Sequence, residues 1–286
     1  MTEPWEGVLY AGSEPSGGVG LLVLAGSSRR VDRARARIFA EQGMTTLAIR
    51  WFGGPGQPAG PYEIPLETFT AALDLLEAQG VRRFGVLGAS KGAEAAMVTA
   101  IRDPRVDAVV AVSPTAYVWG WSHSGRGANG ERDPCRSCWT WKGRPLDFVP
   151  MDELWAVERQ HLEGPVAIRD WYDASEHSYA HRLASARIPV EDMRAELVLV
   201  AGAADEMWPS DRYAAQLAAR RRAAGRKVHL IERADAGHRP RFPGEGPYAE
   251  SPIFKYGGTD DADAQLGTEA WPTLLAVLGG PAVELQ

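Results

Sequence analysis

Ser90 is the residue with the clearest potential for chemistry, because it lies in a G-x-S-x-G pattern at residues 88–92. An apolar run at 84–87 precedes the pattern, and an alanine-rich, helix-like stretch at 93–100 follows it. A serine held between a strand and a helix in this way lies in a tight turn that exposes its hydroxyl group as a nucleophile. The pattern alone also fits a glycine-rich turn without chemistry. A catalytic role therefore requires an acid and a base elsewhere in the chain.

The acid and the base come after two later predicted strands. A strand at 196–201 precedes Asp205, and a strand at 227–232 precedes His238. Parallel strands present their carboxyl ends at one edge of a sheet, so we expect both side chains to lie near Ser90. The chain order of serine, aspartate and histidine is that of the Ser-His-Asp triad in α/β-hydrolases.

Two other acidic residues compete with Asp205 for the role of orienting acid. Glu206 is adjacent, but neighbours in a loop after a strand diverge, and the fourth position of the G-x-x-D sequence favours Asp205. Asp235 is close in sequence to His238 and precedes a glycine, so it is better suited to shaping the loop. We therefore predict that Asp205 orients His238.

Backbone N–H groups should stabilise the oxyanion that forms when a serine attacks a carbonyl carbon. The N–H group of Lys91, directly after the nucleophile, is the first candidate. The second should come from the loop after the predicted strand at 19–25, where both Ser27 and Ser28 are candidates. The sequence leaves the choice between these two serines open.

Metal and redox sites have little support in the sequence. His177 and His181 have the i, i+4 spacing of metal ligands on a helix, but no third ligand stands in register with them. Cys135 and Cys138 form a single C-x-x-C pair, whereas a zinc site would require a second pair. We predict two ordinary thiols in a surface loop, no metal and no cofactor.

Apolar strand-like runs alternate with helical patterns along the chain, which indicates a parallel sheet covered by helices on both faces. We predict a single doubly wound α/β-hydrolase domain over residues 1–286. The expected strands are 19–25, 44–50, 82–87, 106–112, 196–201 and 227–232, and the expected helices are 32–42, 66–79, 91–102, 210–224 and 262–278.

The segment at about 115–190 interrupts this alternation and is rich in tryptophan. We predict that it is an insertion over the strand ends, where aromatic rings would form an acyl pocket or lid. Trp119 in this segment, Trp208 and Arg29 are the candidate substrate contacts.

Composition restricts the classes of partner. The net charge is −6, which argues against nucleic-acid binding. Two arginine-rich stretches, at 29–37 and 220–227, are expected to be solvated helix faces, or alternatively a patch for an anionic substrate. The first residues lack the pattern of a secretory signal, and no apolar run is long enough to span a membrane. We therefore expect a soluble, cytoplasmic protein, and the oligomeric state stays open.

Several stretches together resemble the C-terminal catalytic domain that acyl-CoA thioesterases share with bile-acid-CoA:amino-acid N-acyltransferases. They include the serine turn and the segments that contain the predicted acid and base. The stretches are 63–67 (EIPLE), 88–94 (GASKGAE), 111–114 (AVSP), 117–120 (YVWG), 141–146 (WKGRPL), 148–150 (FVP), 188–191 (IPVE), 205–209 (DEMWP), 236–238 (AGH), 257–259 (GGT) and 270–272 (AWP).

This resemblance implies an α/β-hydrolase fold, an acyl-enzyme intermediate and an acyl thioester substrate carried by coenzyme A or a carrier protein. It assigns Ser90 as nucleophile, Asp205 as orienting acid and His238 as base. The conjugating members of the family typically use cysteine as nucleophile, so a serine resembles the hydrolytic branch. We predict a serine thioesterase; the alternatives are an acyltransferase to an amine or alcohol, a carboxylic-ester or dienelactone-type hydrolase, and a binding protein with an inactive triad.

Overall fold

A computed structural model describes residues 5–13, 18–121, 134–155 and 164–279. The strands are β1 (Gly7–Tyr10), β2 (Val19–Leu24), β3 (Thr45–Ile49), β4 (Ile64–Pro65), β5 (Arg83–Ala89), β6 (Val106–Val112), β7 (Gly120–Trp121), β8 (Arg136–Ser137), β9 (Trp139–Trp141), β10 (Arg144–Pro145), β11 (Glu196–Gly202) and β12 (Val228–Arg233). The helices are α1 (Arg33–Ala40), α2 (Glu67–Glu77), α3 (Lys91–Arg102), α4 (Arg169–Ser178), α5 (Leu183–Ala186), α6 (Ser210–Ala223) and α7 (Asp260–Leu278), with a 3₁₀ turn at Ala180–Arg182.

Within the described ranges, the central sheet has the strand order β1-β3-β2-β5-β6-β11-β12. Strands β2, β3, β5, β6, β11 and β12 run parallel to one another, and β1 pairs with β3 in the antiparallel sense. The strand order changes direction between β2 and β5, and in such sheets ligands bind beyond the carboxyl ends at this switch point. The doubly wound, mostly parallel sheet confirms the fold class predicted from the sequence.

Two apolar layers cover the sheet. One layer packs α2, α3 and α6 against one face, with Phe69, Met97 and Leu217 fully buried in it. The other packs α1 and α7 against the opposite face, with Phe39 and Leu274 in its core. The strands are buried on both faces, which explains why they read as continuous apolar runs in the sequence.

Strand β1 is an element that the sequence reading missed. It has four residues, and its pairing with β3 joins Gly7 to Ile49 and Tyr10 to Thr46. A run this short shows no clear alternation, and it forms a strand because the edge of the sheet supplies its hydrogen-bond partners.

Two arginines contradict the expectation that the basic stretches are solvated faces. The guanidinium of Arg35 forms a bidentate pair with Glu245 (2.7 and 2.9 Å) and also donates to Tyr248 and to the carbonyl oxygen of Pro240. Arg221 is buried as well and donates to backbone carbonyl oxygens, including that of Val190. Both side chains are structural because their donors are used inside the protein.

The segment between β6 and β11 holds β7 to β10, α4 and α5. Its tryptophans split into two groups. Trp119 and Trp139 are fully buried in the same apolar layer as α2 and α3. Four others are partly buried against this layer, namely Trp121, Trp141, Trp155 and Trp171, and the last two stack on each other with ring centroids 5.4 Å apart. Residues 122–133 and 156–163 of the predicted insertion lie outside the described ranges. The single-domain organisation over 1–286 stays a prediction.

Cys138 corrects the expectation of a surface thiol. Its side chain is 0% exposed and belongs to the apolar layer, while Cys135 is half-buried, and both are free thiols. The C-x-x-C spacing does not reveal this burial. Cys138 is buried because β9 begins at the next residue and packs into the same apolar layer. Among the described helices, none is both long and apolar enough to cross a bilayer.

Candidate active site

Ser90 lies in a strained turn between β5 and α3. Its backbone has φ 57° and ψ −123°, a region that residues with a side chain rarely occupy. The N–H group of Ser90 donates to the carbonyl oxygen of Val112 (2.9 Å), which fixes the turn to β6. Backbone strain of this kind at a serine after a parallel strand is the geometry of a nucleophile elbow.

Glycines on both sides of Ser90 permit this turn. A Cβ atom at Gly88 would lie 2.0 Å from the carbonyl oxygen of Gly92, and one at Gly92 would lie 2.4 Å from that of Leu24. Both contacts involve backbone atoms, and moving these atoms would cost free energy because it would shift α3 or β2. The two glycines therefore let the first turn of α3 approach β5 and β2 closely.

Asp205 and His238 are hydrogen-bonded to each other. Oδ2 of Asp205 lies 2.7 Å from Nδ1 of His238, and both side chains are buried. Oδ1 of the same carboxylate accepts the N–H groups of Met207 (2.8 Å) and Trp208 (3.2 Å). The structure therefore brings together the acid and the base that the sequence singled out.

The loop that carries His238 is fixed by backbone contacts. The N–H group of His238 donates to the carbonyl oxygen of Tyr256 (2.9 Å), and its own carbonyl oxygen accepts the hydroxyl of Ser113 (2.9 Å). The indole of Trp208 packs against the imidazole, with centroids 5.6 Å apart, and donates to the carbonyl oxygen of Ser113. These contacts hold the imidazole from the side of β6.

Ser90 and His238 line the same cavity of about 190 Å³. Ser27 and Ser28 line it too, on the loop after β2. A Cβ atom at Gly26 would lie 3.1 Å from the Cβ of Ser90, so this loop runs directly beside the nucleophile. The N–H group of Lys91 is in the first turn of α3, where N–H groups have no partner within the helix.

The side chain of Lys91 is buried and makes an ion pair that sequence reading did not predict. Its Nζ lies 2.9 Å from Oε2 of Glu94, and both side chains are within 2% of full burial. Oε1 of Glu94 accepts the N–H group of Trp119 (3.0 Å) and the indole N–H of Trp139 (2.8 Å). The sequence signal that could have predicted this ion pair was a lysine and a glutamate three residues apart in a mostly apolar helix.

The electrostatics of this cluster favour a charged lysine. Burial by itself lowers the pKa of Lys91, but the negative charge of Cys138 in its ionised form and the carboxylate of Glu94 outweigh burial, and the pKa of Lys91 is raised above its usual value. Burial also raises the pKa of the Cys138 thiol to about 12, against the opposing effect of Lys91. The cluster therefore contains one ion pair and a neutral thiol.

The three predicted substrate contacts, Trp119, Trp208 and Arg29, differ in burial and in position relative to the cavity. Trp119 is 0% exposed, donates from Nε1 to Thr115 and is not among the residues that line the cavity. Trp208 is buried behind His238, and Arg29 is exposed, with φ 59° and its side chain against Gly53. Substrate contacts of these three residues stay predictions, and the buried position of Trp119 gives it a packing role.

The alternative acid Asp235 and the candidate metal ligands lie away from this cavity, and Glu206 lines a neighbouring cavity. Asp235 is exposed and pairs with Arg233, and the side chains of His177 and His181 are both exposed. Over the described parts of the chain, no group of three or more His, Cys, Asp or Glu side chains is arranged to hold a metal ion.

Sequence reading missed the part of the loop between β12 and α7 that follows His238. Arg239, Tyr248, Phe254 and Tyr256 of this loop line the cavity beside His238. The loop has neither helical nor strand periodicity, so the only sequence signal was the position of Arg239 directly after the predicted base.

The sheet order, the turn at Ser90 and the Asp205–His238 pair define an α/β-hydrolase. A family model described as BAAT / Acyl-CoA thioester hydrolase C terminal matches residues 64–279. The chain belongs to this family, as its sequence motifs predicted. It is therefore a hydrolase of the acyl-CoA thioester and esterase type at the level of the family. No curated protein matches the chain.

Solved structures share the fold at low sequence identity. A putative dienelactone hydrolase from Klebsiella pneumoniae subsp. pneumoniae is 14% identical, with a TM-score of 0.50 over 96% of this chain and 99% of that one. A structure named m3DLH is 15% identical, with a TM-score of 0.53 over 96% of this chain and 91% of that one. A puromycin-hydrolyzing peptidase from Mycobacterium tuberculosis is 11% identical, with a TM-score of 0.53 over 95% of this chain and 36% of that one.

Proposed function

We propose that this protein is a serine thioesterase that hydrolyses an acyl thioester of coenzyme A or of a carrier protein. The observation that carries the proposal is the 2.7 Å hydrogen bond between Asp205 and His238, a histidine that lines the same cavity as Ser90 in a chain of the acyl-CoA thioester hydrolase family. A serine hydroxyl requires a neighbouring base, and the base requires an orienting acid.

The first half of the reaction forms an acyl-enzyme. The Oγ atom of Ser90 attacks the thioester carbonyl carbon while its proton passes to Nε2 of His238. The N–H group of Lys91 and one from the loop of Ser27 and Ser28 stabilise the resulting oxyanion. The carbon–sulfur bond then breaks, and the proton on His238 passes to the departing thiolate.

The second half repeats these steps with water. His238 takes a proton from the water molecule as its oxygen attacks the acyl carbon, and the oxyanion forms again at the same N–H groups. The bond to Ser90 breaks, and His238 returns the proton to the serine oxygen. The products are a carboxylic acid and the free enzyme.

Strain at Ser90 supports the assignment of the nucleophile. A non-glycine residue with φ 57° and ψ −123° is strained, because this ψ lies outside the left-handed helical region in which other residues with positive φ are tolerated. In an elbow the same conformation turns the hydroxyl outward and directs the next N–H group toward the developing oxyanion. The cavity beside Ser90 gives the carbonyl group a place to bind.

The test is a panel of acyl thioesters and matched oxoesters with the wild-type protein and with Ser90→Ala. We expect hydrolysis of thioesters by the wild type and a loss of at least about 10³-fold in Ser90→Ala. Hydrolysis of thioesters by Ser90→Ala at the wild-type rate would contradict the mechanism. Labelling of Ser90 by a fluorophosphonate probe should separate an active serine from an inactive binding protein.

Product analysis with an added amine or alcohol distinguishes hydrolysis from acyl transfer. We expect the free acid as the product at every acceptor concentration. An acyl amide or ester whose yield rises with acceptor concentration would instead assign an acyltransferase. Preference for oxoesters over the matched thioesters would assign an esterase.

A further inference from the structure

Arg239 lies between two neighbouring cavities, directly after His238 in the chain. The first is the cavity of about 190 Å³ that contains Ser90 and His238. The second has about 610 Å³. Arg239, Tyr248, Phe254 and Tyr256 line both cavities, so they form the partition between them.

The guanidinium of Arg239 is held in place by aromatic rings. Its central carbon lies 3.8 Å from the ring centroid of Tyr256 and 5.1 Å from that of Tyr248. Tyr256 also packs against the imidazole of His238, with centroids 5.9 Å apart. One ring therefore separates the guanidinium from the proposed base. Stacking fixes the plane of an arginine and leaves the N–H groups at its edge available for a carboxylate or phosphate.

Among the residues that the structure describes, most of the donors of Arg239 have no protein acceptor. Nη1 donates to the carbonyl oxygen of Ala249 (3.1 Å), and within the described ranges no carboxylate forms an ion pair with Arg239. Asp263 interacts with it electrostatically, but this carboxylate accepts the N–H group of Gly237 at 2.6 Å. The positive charge of Arg239 is therefore only partly compensated.

The other two arginines that line the cavity of Ser90, Arg35 and Arg30, differ from Arg239 in burial and in hydrogen bonding. The donors of Arg35 are used by Glu245, Tyr248 and a backbone carbonyl oxygen, so its charge is neutralised inside the protein. Arg30 is exposed at the cavity wall. Arg239 combines partial burial, a fixed plane and free donors, which are the properties of a residue that recognises an anion.

Charge decides on which side of the partition an anion would bind. The larger cavity is lined by four acidic residues, Glu206, Glu250, Asp260 and Asp263, and by one cation that the cavity of Ser90 lacks, Lys255. Arg241 pairs with Asp260, but the other three acids still outnumber Lys255 and disfavour an anion. The cavity of Ser90 contains Arg30 and Arg239, with Asp32 as its acidic residue, and Asp32 accepts the N–H group of Arg35 at the start of α1. An anion is therefore favoured on the side of Ser90.

We propose that Arg239 binds an anionic group, a carboxylate or a phosphate, of the substrate whose carbonyl group Ser90 attacks. This inference rests on the proposed function and narrows its substrate class. The anionic group has two possible sources: a carboxylate at the far end of a short acyl chain, or a phosphate of the thiol carrier. The cavity of about 190 Å³ is smaller than the pockets of about 300–1,000 Å³ that hold drug-sized ligands, so it suits a short acyl chain.

Four thioesters separate the two sources. Butyryl and succinyl groups have the same chain length, but the succinyl group ends in a carboxylate. Each is attached either to coenzyme A, which carries phosphates, or to N-acetylcysteamine, which carries none. KM and kcat are measured for the wild type, Arg239→Gln and Arg239→Lys. Arg82→Gln is the matched control, because Arg82 is exposed and precedes β5 at the opposite end of the strand.

We expect Arg239→Gln to raise KM by about tenfold or more for the thioesters that carry the recognised anion, with kcat changed less than KM. A rise confined to both succinyl thioesters assigns the carboxylate, and a rise confined to both coenzyme A thioesters assigns the phosphate. In each case butyryl-N-acetylcysteamine keeps its KM, Arg239→Lys recovers part of the affinity, and Arg82→Gln matches the wild type. An equal change for all four thioesters, or no change for any of them, would overturn the proposal.

A binding measurement keeps this proposal separate from the proposed function. Calorimetric titrations use succinate and free coenzyme A as probes, with the wild type and Arg239→Gln after their melting temperatures have been compared. If Arg239→Gln binds either probe more weakly than the wild type does, the result supports anion recognition even if no thioester is hydrolysed. If thioesters are hydrolysed, but neither the affinity for the two probes nor any KM changes in Arg239→Gln, the proposed anion site is wrong. The thioesterase assignment then still stands.

Discussion

Nδ1 of His238 lies 2.7 Å from Oδ2 of Asp205, and two backbone N–H groups hold the other oxygen of that carboxylate. The carboxylate therefore has a fixed orientation before any substrate binds. A histidine that donates from Nδ1 carries its lone pair on Nε2, which is the atom that accepts a proton from a nucleophile. The hydrogen bond thus selects the tautomer that a general base requires.

Replacing Asp205 by asparagine should remove this selection without changing the size of the side chain. We expect Asp205→Asn to lower kcat for thioester hydrolysis by about 10³–10⁴-fold, because the amide stabilises the wrong tautomer. Asp235→Asn is the control, since Asp235 is exposed and bound to Arg233. Steady-state kinetics on both variants decides between the two acids, and a large loss in Asp235→Asn alone would contradict the assignment.

Gly88 tests the packing that produces the elbow. A Cβ atom there would lie 2.0 Å from the carbonyl oxygen of Gly92, so Gly88→Ala must push α3 away from β5. We expect a loss of about 1–3 kcal/mol or more in the free energy of unfolding, together with a loss of activity. Gly246→Ala is matched in chemistry, but a Cβ atom at Gly246 meets nothing within 4 Å.

Urea unfolding of the two alanine variants makes the comparison. If Gly88→Ala proved as stable and active as Gly246→Ala, close packing of α3 would not be what positions Ser90.

Patterns that are local in the sequence predicted most of the fold. Strand β11 begins at Glu196 as expected, and α3 begins at Lys91, directly after the serine. The approach of Asp205 to His238 was also predictable, because the topology of a parallel sheet brings successive strand ends to one edge. Their catalytic roles remain a prediction that the experiments above test.

Interactions between distant residues were not predictable in the same way. Arg35 and Glu245 are 210 positions apart, and nothing near Arg35 distinguishes it from its exposed arginine neighbours. Cys138 is buried because β9 packs into the core, which the C-x-x-C spacing does not reveal. Sequence periodicity reports on one element at a time, whereas a buried charge or thiol depends on which elements meet.

The pair of Lys91 and Glu94 should be a strong stabilising unit next to the nucleophile. Glu94→Gln leaves a buried ammonium group without its counter-charge, at a cost of about 3–5 kcal/mol in the free energy of unfolding. Adding Lys91→Met removes that charge, while a glutamine can still accept the N–H groups of Trp119 and Trp139. We therefore expect the double variant to be more stable than Glu94→Gln alone.

A double-mutant cycle by urea denaturation measures this coupling. Additive losses from the two single variants would show that the ion pair contributes little and that each side chain acts through packing alone.

Cys138 gives a prediction on the dependence of stability on pH. Burial raises the pKa of its thiol to about 12 in the folded protein, whereas an unfolded cysteine ionises near about 8.5. Because the folded value is the higher one, the stabilising contribution is complete below about pH 8.5. It declines as the pH rises, since the unfolded state then releases the proton more readily.

The measurement compares urea unfolding at pH 7.5 and pH 10 in the presence of a reductant. Between these values the wild type should lose about 1–2 kcal/mol more in the free energy of unfolding than Cys138→Ala does. Cys138→Ala starts from a lower stability because it leaves a cavity, so the difference between the two pH values is compared rather than the absolute stability. The pKa of Tyr172 is also raised by burial, but this tyrosine is present in both proteins and its effect cancels. Equal losses in the two proteins would mean that the Cys138 thiol ionises in the folded core as readily as in the unfolded chain.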